Sequence, residues 1–277
     1  MKPAPFAYHA AETVEEAVAM LAELGADARV LAGGQSLVPM LNLRLARPTA
    51  LVDVGRVSAL SGISANGALR LGATTRQVDA MRSPYVTGRA PLLSDALQHV
   101  GHPATRSRGT LGGSVAHADP AAELPAVLLA LDGEAIARTP AGERAIPAAE
   151  LFLGPFTTCL ADGELLTELR LTDPPAGARH GFAEIARRRG DFALAGAAVV
   201  VAPGYARVAL FGVAPAAFRA EAAERALAQG AGAEEAAELA AAAAKPADDP
   251  HAPAAYRAKA ARVATLRALL AAGVTRA

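Results

Sequence analysis

Between Thr13 and Gly25 apolar residues recur at Val14, Ala17, Val18, Leu21 and Leu24. That is the spacing of one helical face, and Thr13 with Glu16 forms the T-x-x-E box that starts such a helix. Gly25 supplies its stop. The runs "RVLA" (29–32), "ALVDV" (50–54) and "ALRLGA" (68–73) are too short for helices and are bounded by Gly, Pro or Asn, so they read as strands. Helical spacing returns over 75–82 and 90–99. It returns again after Pro120, where Leu124, Val127, Leu128 and Leu131 share a face. "EAIAR" (134–138) and "ELLTELRL" (164–171) are two further strands. Strands alternating with helices as far as residue 172 predict an α/β domain.

"TDPPAGARHG" (172–181) breaks that rhythm with two prolines and two glycines, and divides the chain into 1–174 and 175–277. Beyond it, "GFAEIARRR" (181–189), "ALAGAAVVVA" (193–202) and "ARVALFGVA" (206–214) predict a three-stranded antiparallel meander. Three alanine-rich helices are expected at 216–229, 233–244 and 253–271. In the last, Tyr256, Ala260, Val263, Leu266 and Leu270 share one face, and Pro253 suits the first turn. The predicted fold class is therefore α+β: a two-part α/β domain, then a smaller domain of sheet plus helices.

Composition narrows the function. Apolar residues make up 52% of the 277, much of it alanine, and tryptophan is absent, which suits close packing of small side chains. Basic and acidic residues balance at 27 each and aromatics reach only 4%, a poor match to nucleic-acid binding. No apolar run is long enough to span a membrane and the N-terminus lacks a signal pattern, so a cytoplasmic protein is expected. The single cysteine, Cys159, can neither close an internal disulfide nor hold a metal cluster alone. Redox chemistry would have to come from a bound cofactor or a partner.

Two stretches carry the candidate chemistry. In "RVLAGGQSLVPMLNLRLARP" (29–48) a strand runs into Gly33-Gly34, and in "TRSRGTLGGSVAHADPAAELP" (105–125) the pattern recurs at Gly112-Gly113. Adjacent glycines adopt positive φ readily and expose backbone N–H groups, the makings of a phosphate nest. No lysine follows as in a Walker loop, and the G-x-G-x-x-G spacing of a dinucleotide turn is missing. Two such loops could serve the two ends of a flavin dinucleotide, one the pyrophosphate and one the flavin side. His99, His102, His117 and Asp119 can be drawn as a metal cluster, but polar packing around the second loop accounts for them better. "GGSVA" around Ser114 approaches a nucleophile elbow without its last glycine.

These two segments, with "ARRRGDFALAGAAVVV" and "DDPHAPAAYRAKAARVATLRALL", follow one another in the order found in the FAD-binding medium subunits of molybdenum hydroxylases. The chain most resembles the carbon monoxide dehydrogenase medium-subunit family, over essentially its whole length. The resemblance implies the FAD-binding fold also seen in vanillyl-alcohol oxidases, followed by a C-terminal domain. It implies that Leu31, Ala32, Gly33, Gly34, Gln35, Ser36 and Leu37 wrap the FAD pyrophosphate. Thr110, Leu111, Gly112, Gly113 and Ser114 would line a second contact, with Asp119 and Glu123 accepting from cofactor hydroxyls. Leu166 would present its backbone to the flavin ring, and Asp191 would sit near the ring's open face. The partners implied are a molybdopterin-binding large subunit and a small subunit with 2Fe-2S clusters, assembled as a dimer of heterotrimers, with an external electron acceptor. Two other functions remain open on the residues alone: a stand-alone flavin-dependent oxidoreductase, and a non-catalytic nucleotide-phosphate binder that uses the first loop only.

Overall fold

The computed structural model describes residues 2–276. Its first sheet is small and wholly parallel: Ala7–Ala10, Ala28–Leu31 and Ala50–Asp53, with Ala50–Asp53 in the centre. Parallel neighbours need crossovers, and the helix Val14–Leu24 supplies the first of them. Thr13 Oγ1 accepts from the Glu16 N–H at 3.1 Å, and Glu16 Oε2 accepts from the Glu12 N–H at 2.8 Å, so the box read from sequence caps this helix. Val14, Ala17, Val18 and Leu21 are its buried face and pack on Ala28, Val52 and Val54.

The second sheet is antiparallel throughout, in the order Ile63–Ser64, Leu69–Gly72, Leu165–Leu171, Glu134–Thr139, Gly142–Pro147. Its core is shared with a cluster of short helices, among them Gln77–Arg82, Pro91–Leu97, Leu111–His117 and Glu123–Ala130. The helix Glu123–Ala130 has no polar face, because all eight residues are buried. One side of it meets the second sheet's core and the other meets the C-terminal sheet.

That C-terminal sheet runs Arg179–Ala186, Ala193–Ala202, Tyr205–Phe211, Phe218–Arg219, all antiparallel. Three strands were expected. The short fourth strand forms where a helix from residue 216 was expected, and that helix begins only at Glu221. Residues 193–201 are all buried, because the strand lies between two layers. Ala198 and Val200 face the helix Glu123–Ala130, while Ala195, Ala197, Val199 and Val201 face the C-terminal helices. Alanine and glycine dominate this strand because larger side chains would force the layers apart. Gly196 lies under the Phe211 ring, and a Cβ there would overlap it.

The two parts of the chain are also tied by polar contacts. Asp132 accepts from Tyr205 Oη at 3.0 Å, Arg207 Nε at 2.8 Å and Arg219 Nη1 at 3.2 Å. His180 lies 3.1 Å from Asp95 on the helix Pro91–Leu97.

The long helix Ala254–Ala271 approaches the sheet most closely at Gly181, where a Cβ would overlap the Ala268 carbonyl oxygen. Gly181→Ala should therefore destabilise the protein by about 1–3 kcal/mol through overpacking. Gly88→Ala, with open space around its would-be Cβ, should leave stability unchanged or raise it slightly. Thermal unfolding of the two variants checks the contrast.

Candidate functional site: two glycine segments and an interdomain cleft

The parallel sheet sets the position of the first segment. Ligands of parallel sheets gather beyond the carboxyl ends of the strands, and Ala32–Ser36 leaves the carboxyl end of Ala28–Leu31 before the helix Leu37–Asn42. Gly34 has φ +72°, a conformation that suits glycine. Gln35 Nε2 donates to the Gly33 carbonyl at 3.3 Å. The N–H groups of Gly33, Gly34, Gln35, Ser36 and Leu37 meet no acceptor among the described residues. Five consecutive donors without an acceptor, beside the exposed Ser36 hydroxyl, form a strip suited to an anion with several oxygens.

The second segment differs from the sequence expectation. It is not a loop: Gly112 and Gly113 lie in the first turn of the helix Leu111–His117, with Thr110 as its cap. Two glycines in a first turn are poor helix formers, so the pattern hid the helix. The cap and the surrounding contacts compensate. Thr110 Oγ1 accepts from the Gly113 N–H at 3.1 Å and the Thr110 carbonyl from the Ser114 N–H at 3.2 Å. The Leu111 N–H donates to Thr75 at 3.0 Å and the Gly112 N–H to Ala73 at 2.9 Å. Every backbone donor from Leu111 to Ser114 is thus engaged within the fold. The glycines here serve proximity: a Cβ on Gly112 would lie 2.5 Å from Ala73 Cβ, and one on Gly113 would lie 2.5 Å from Thr110 Oγ1.

The two segments meet. A Cβ on Gly33 would overlap the Arg108 carbonyl oxygen and lie 3.0 Å from Gly109 Cα. Ala32 Cβ is 3.8 Å from the position a Cβ on Gly113 would take. The Arg76 guanidinium holds the same Arg108 carbonyl, and a bridge between Arg76 and Thr110 fixes the approach. Donors on one wall and bare backbone on the other make a cradle that fits a dinucleotide.

The remaining candidates lie apart from that cradle. Leu166 buries its side chain in the core beside a bulge at Thr167, whose hydroxyl donates to the Ile136 carbonyl at 3.1 Å. Asp119 turns Oδ1 onto the Ala121 N–H at 2.8 Å. Asp119 and Asp191 both line a cleft of about 750 Å³ between the two parts of the chain. Glu123 is buried, and loss of solvent pushes its carboxyl up to about 8, helped by the nearby Glu184 and Asp119 charges. It is a neutral acid at pH 7, able to donate a hydrogen bond as well as accept one.

Around Glu123 lie Glu184 and Arg106, which the sequence did not single out, and His99, which it considered only as a metal ligand. Burial raises Glu184, on the strand Arg179–Ala186, to about 7, and its Oε2 finds no partner among the described residues. His99 Nδ1 is 4.0 Å from Glu184 Oε1, and its ring packs at a tilt against Phe182, with centroids 5.0 Å apart. Arg106 donates to the carbonyls of Val100 at 2.8 Å and Gly101 at 3.0 Å, with Nε unpartnered. Glu184 sat in an ordinary alternating strand, and nothing local marked it. His102 packs under Gly190 and His117 against the Phe156 ring at 5.1 Å, so the histidines serve packing at separate places. Cys159 is half-buried against the core.

Comparison with known proteins agrees with this geometry. Residues 4–174 match the family model described as the FAD binding domain in molybdopterin dehydrogenase, and 180–272 match that of the CO dehydrogenase flavoprotein C-terminal domain. The carbon monoxide dehydrogenase medium chain of Hydrogenophaga pseudoflava is 39% identical over 98% of both chains. The 6-hydroxypseudooxynicotine dehydrogenase complex subunit alpha of Paenarthrobacter nicotinovorans is 43% identical over 82% of this chain and 79% of that one. Among solved structures, a chain of quinoline 2-oxidoreductase from Pseudomonas putida 86 superposes with a TM-score of 0.91 at 38% identity, covering 99% of each chain.

The buried acids predict a pH dependence. Their folded values lie above the ordinary carboxyl value of 4.5, so the native state holds protons that the unfolded chain releases. The stability they contribute is complete below about pH 4.5 and is lost as pH rises towards 8. Each proton adds a slope approaching about 1.4 kcal/mol per pH unit. Glu123→Gln, which stays neutral, should flatten the fall in thermal stability measured from pH 5 to 9.

Proposed function

Because this chain belongs to the FAD-binding medium-subunit family of the molybdenum hydroxylases, we propose that its paired glycine segments hold FAD for electron relay within such a complex. The chain is an oxidoreductase subunit, and its cofactor is FAD. Its partners are a molybdopterin-binding large subunit and a 2Fe-2S small subunit, in our reading as a dimer of heterotrimers. Electrons arriving from the clusters pass through the FAD to an external acceptor. No helix among the described residues is long and apolar enough to cross a membrane, and we assign the complex to the cytoplasm. We place the boundary between the FAD-binding part and the C-terminal part at residues 174 and 175.

The observation that carries the site assignment is the strip of five free N–H groups from Gly33 to Leu37, which begins where Gly33 lies directly against the backbone of Arg108–Gly109. In our assignment Leu31 to Leu37 hold the pyrophosphate through those donors and the Ser36 hydroxyl. Thr110 to Ser114 set the distance of the facing wall, and of its polar groups the Ser114 hydroxyl remains free to reach the cofactor. Glu123, neutral in its buried position, meets cofactor hydroxyls as donor or acceptor without adding charge. Asp119, Asp191 and the backbone at Leu166 complete the surroundings of the flavin ring. FAD supplies a store for two electrons that accepts them singly from clusters and releases them as a pair. The chain's own residues bind it, orient it and close one side from water. None of them need act on the organic substrate, since the cofactors carry that chemistry.

Chain incubated with FAD and desalted should retain about one FAD, read from the flavin bands after heat release. Ser36→Asp is the discriminating variant. Its exposed position leaves packing untouched, so unfolding should shift by no more than about 0.5 kcal/mol. The new carboxylate occupies the donor strip and repels a pyrophosphate, so FAD retention should fall at least about tenfold. Full retention in this variant would refute the pyrophosphate assignment.

A further inference from the structure

We infer that the seam between the helix Pro91–Leu97, with the turn after it, and the edge strand Arg179–Ala186 is a proton-operated latch, held shut while its buried carboxyls are protonated and loosened as they ionise. The seam joins the two parts of the chain. Asp95 and His99, four residues apart, share the helix face that meets the strand. His180, Phe182 and Glu184 alternate along the strand and share the face that meets the helix. His180 Nε2 lies 3.1 Å from Asp95 Oδ2, the His99 ring packs against Phe182, and Phe182 stacks on Phe211 with centroids 5.7 Å apart. The opposite face of the strand, through Ala183 and Ile185, packs with the C-terminal helices.

Glu184 is the group the seam cannot satisfy once charged. Its side chain is only 4% exposed, and its Oε2 meets no donor among the described residues. The groups around it offer no counter-charge. His99, the residue 4.0 Å away, is pushed below its ordinary value by burial and by the Arg189 charge, so it is neutral at pH 7. The cross-strand neighbour is Gly196. Arg106 gives Nη1 to the carbonyls of Val100 and Gly101. Glu123, whose ionisation Glu184 opposes, brings a second acid to the same junction. Two unpaired carboxylates inside one interface must draw in water, and water enters only if the seam parts.

The far side of the same sheet is tied differently. The strand order puts Arg179–Ala186 at one edge and Tyr205–Phe211 with Phe218–Arg219 at the other. There Asp132 accepts from Tyr205, Arg207 and Arg219. Tyr205 is pushed up to about 12 by burial and by the Asp132 charge, so it keeps its proton, and the arginines keep their charge. The helix Glu123–Ala130 packs under this side. One edge of the interface thus answers to pH and the other does not, which makes a latch and a hinge. In the FAD assignment above Glu123 meets the cofactor, so loosening the latch also admits water to the cofactor site. That consequence rests on the FAD reading; the latch itself does not.

The test follows amide hydrogen exchange in the full chain incubated with FAD, from pH 5 to 9, each rate divided by that of unstructured peptide at the same pH. The closed seam holds protons that the open seam releases. Opening therefore rises by up to about tenfold per pH unit for each such proton, until the closed-state carboxyl has ionised too. With the closed-state values at about 7 and about 8, amides of 91–100 and 179–186 should lose protection at least about thirtyfold between pH 5 and 7 and level off above about pH 8. Those of 205–211 should change far less. Glu184→Gln should shrink the loss at the latch at least about tenfold, and adding Glu123→Gln should abolish it. If Glu184→Gln fails to fold, Glu123→Gln alone takes its place with the same expected shrinkage. A flat profile at 179–186 overturns the inference, as does equal loss at both edges of the sheet. A wild-type profile in the neutral variants overturns it as well. Flavin bands of the same samples report FAD: chain without it counts against the functional reading, while the exchange profile still decides the latch.

Discussion

Backbone lying directly on backbone, with no side chain between, is the constraint from which the rest of this structure follows. At Gly33 the first segment rests on the Arg108 carbonyl, and at Gly112 the second rests on Ala73. The first contact joins the turn of the parallel sheet to the end of the short helix Pro103–Arg108, and the second joins the helix Leu111–His117 to the end of the antiparallel strand Leu69–Gly72, so the two halves of the FAD-binding part are locked at the cradle itself. A methyl group at either place would part them. The geometry of the cradle and the cohesion of the fold are therefore one property.

The two walls of the cradle divide the chemistry between them. One supplies hydrogen-bond donors; the other has its backbone donors engaged by Thr75, Ala73 and Thr110 and supplies shape and the Ser114 hydroxyl. In the proposed assignment an anion is drawn to one side and stopped at a fixed distance by the other. Further in, burial raises Glu123 to about 8 and Glu184 to about 7, so the junction between the two parts of the chain carries less negative charge at neutral pH than two ordinary carboxylates would. The cleft outside it keeps its carboxylates near the surface.

Much of this was legible in the sequence, for physical reasons. The helix Val14–Leu24 and the strand Ala193–Ala202 were evident because period and composition agreed with burial. The glycine pairs were evident because few other demands produce two such pairs in one chain. What stayed hidden depended on contacts distant in sequence. The helix Leu111–His117 begins with residues that disfavour helices and exists because Thr110 and Ala73 hold its first turn. The edge strands Ala7–Ala10 and Gly142–Pro147 carry no clear alternation and are fixed by their neighbours. Glu184 has an ordinary place in its strand; its meaning comes from Glu123, 61 residues away, across the interface.

The strand Ala193–Ala202 works as a spacer between two slabs. Its side chains set how far the C-terminal helices stand from the helix Glu123–Ala130, and the turn bearing Asp191 and Phe192 hangs from its first residue. Enlarging Ala198 pushes one slab outward, and enlarging Ala195 pushes the other. Either change moves one jaw of the cleft while leaving its lining chemically intact. The gauge of the opening is thus written at positions such as Ala195 and Ala198 that do not line it, and drift among small residues in this strand can retune the width of the cleft without altering its lining.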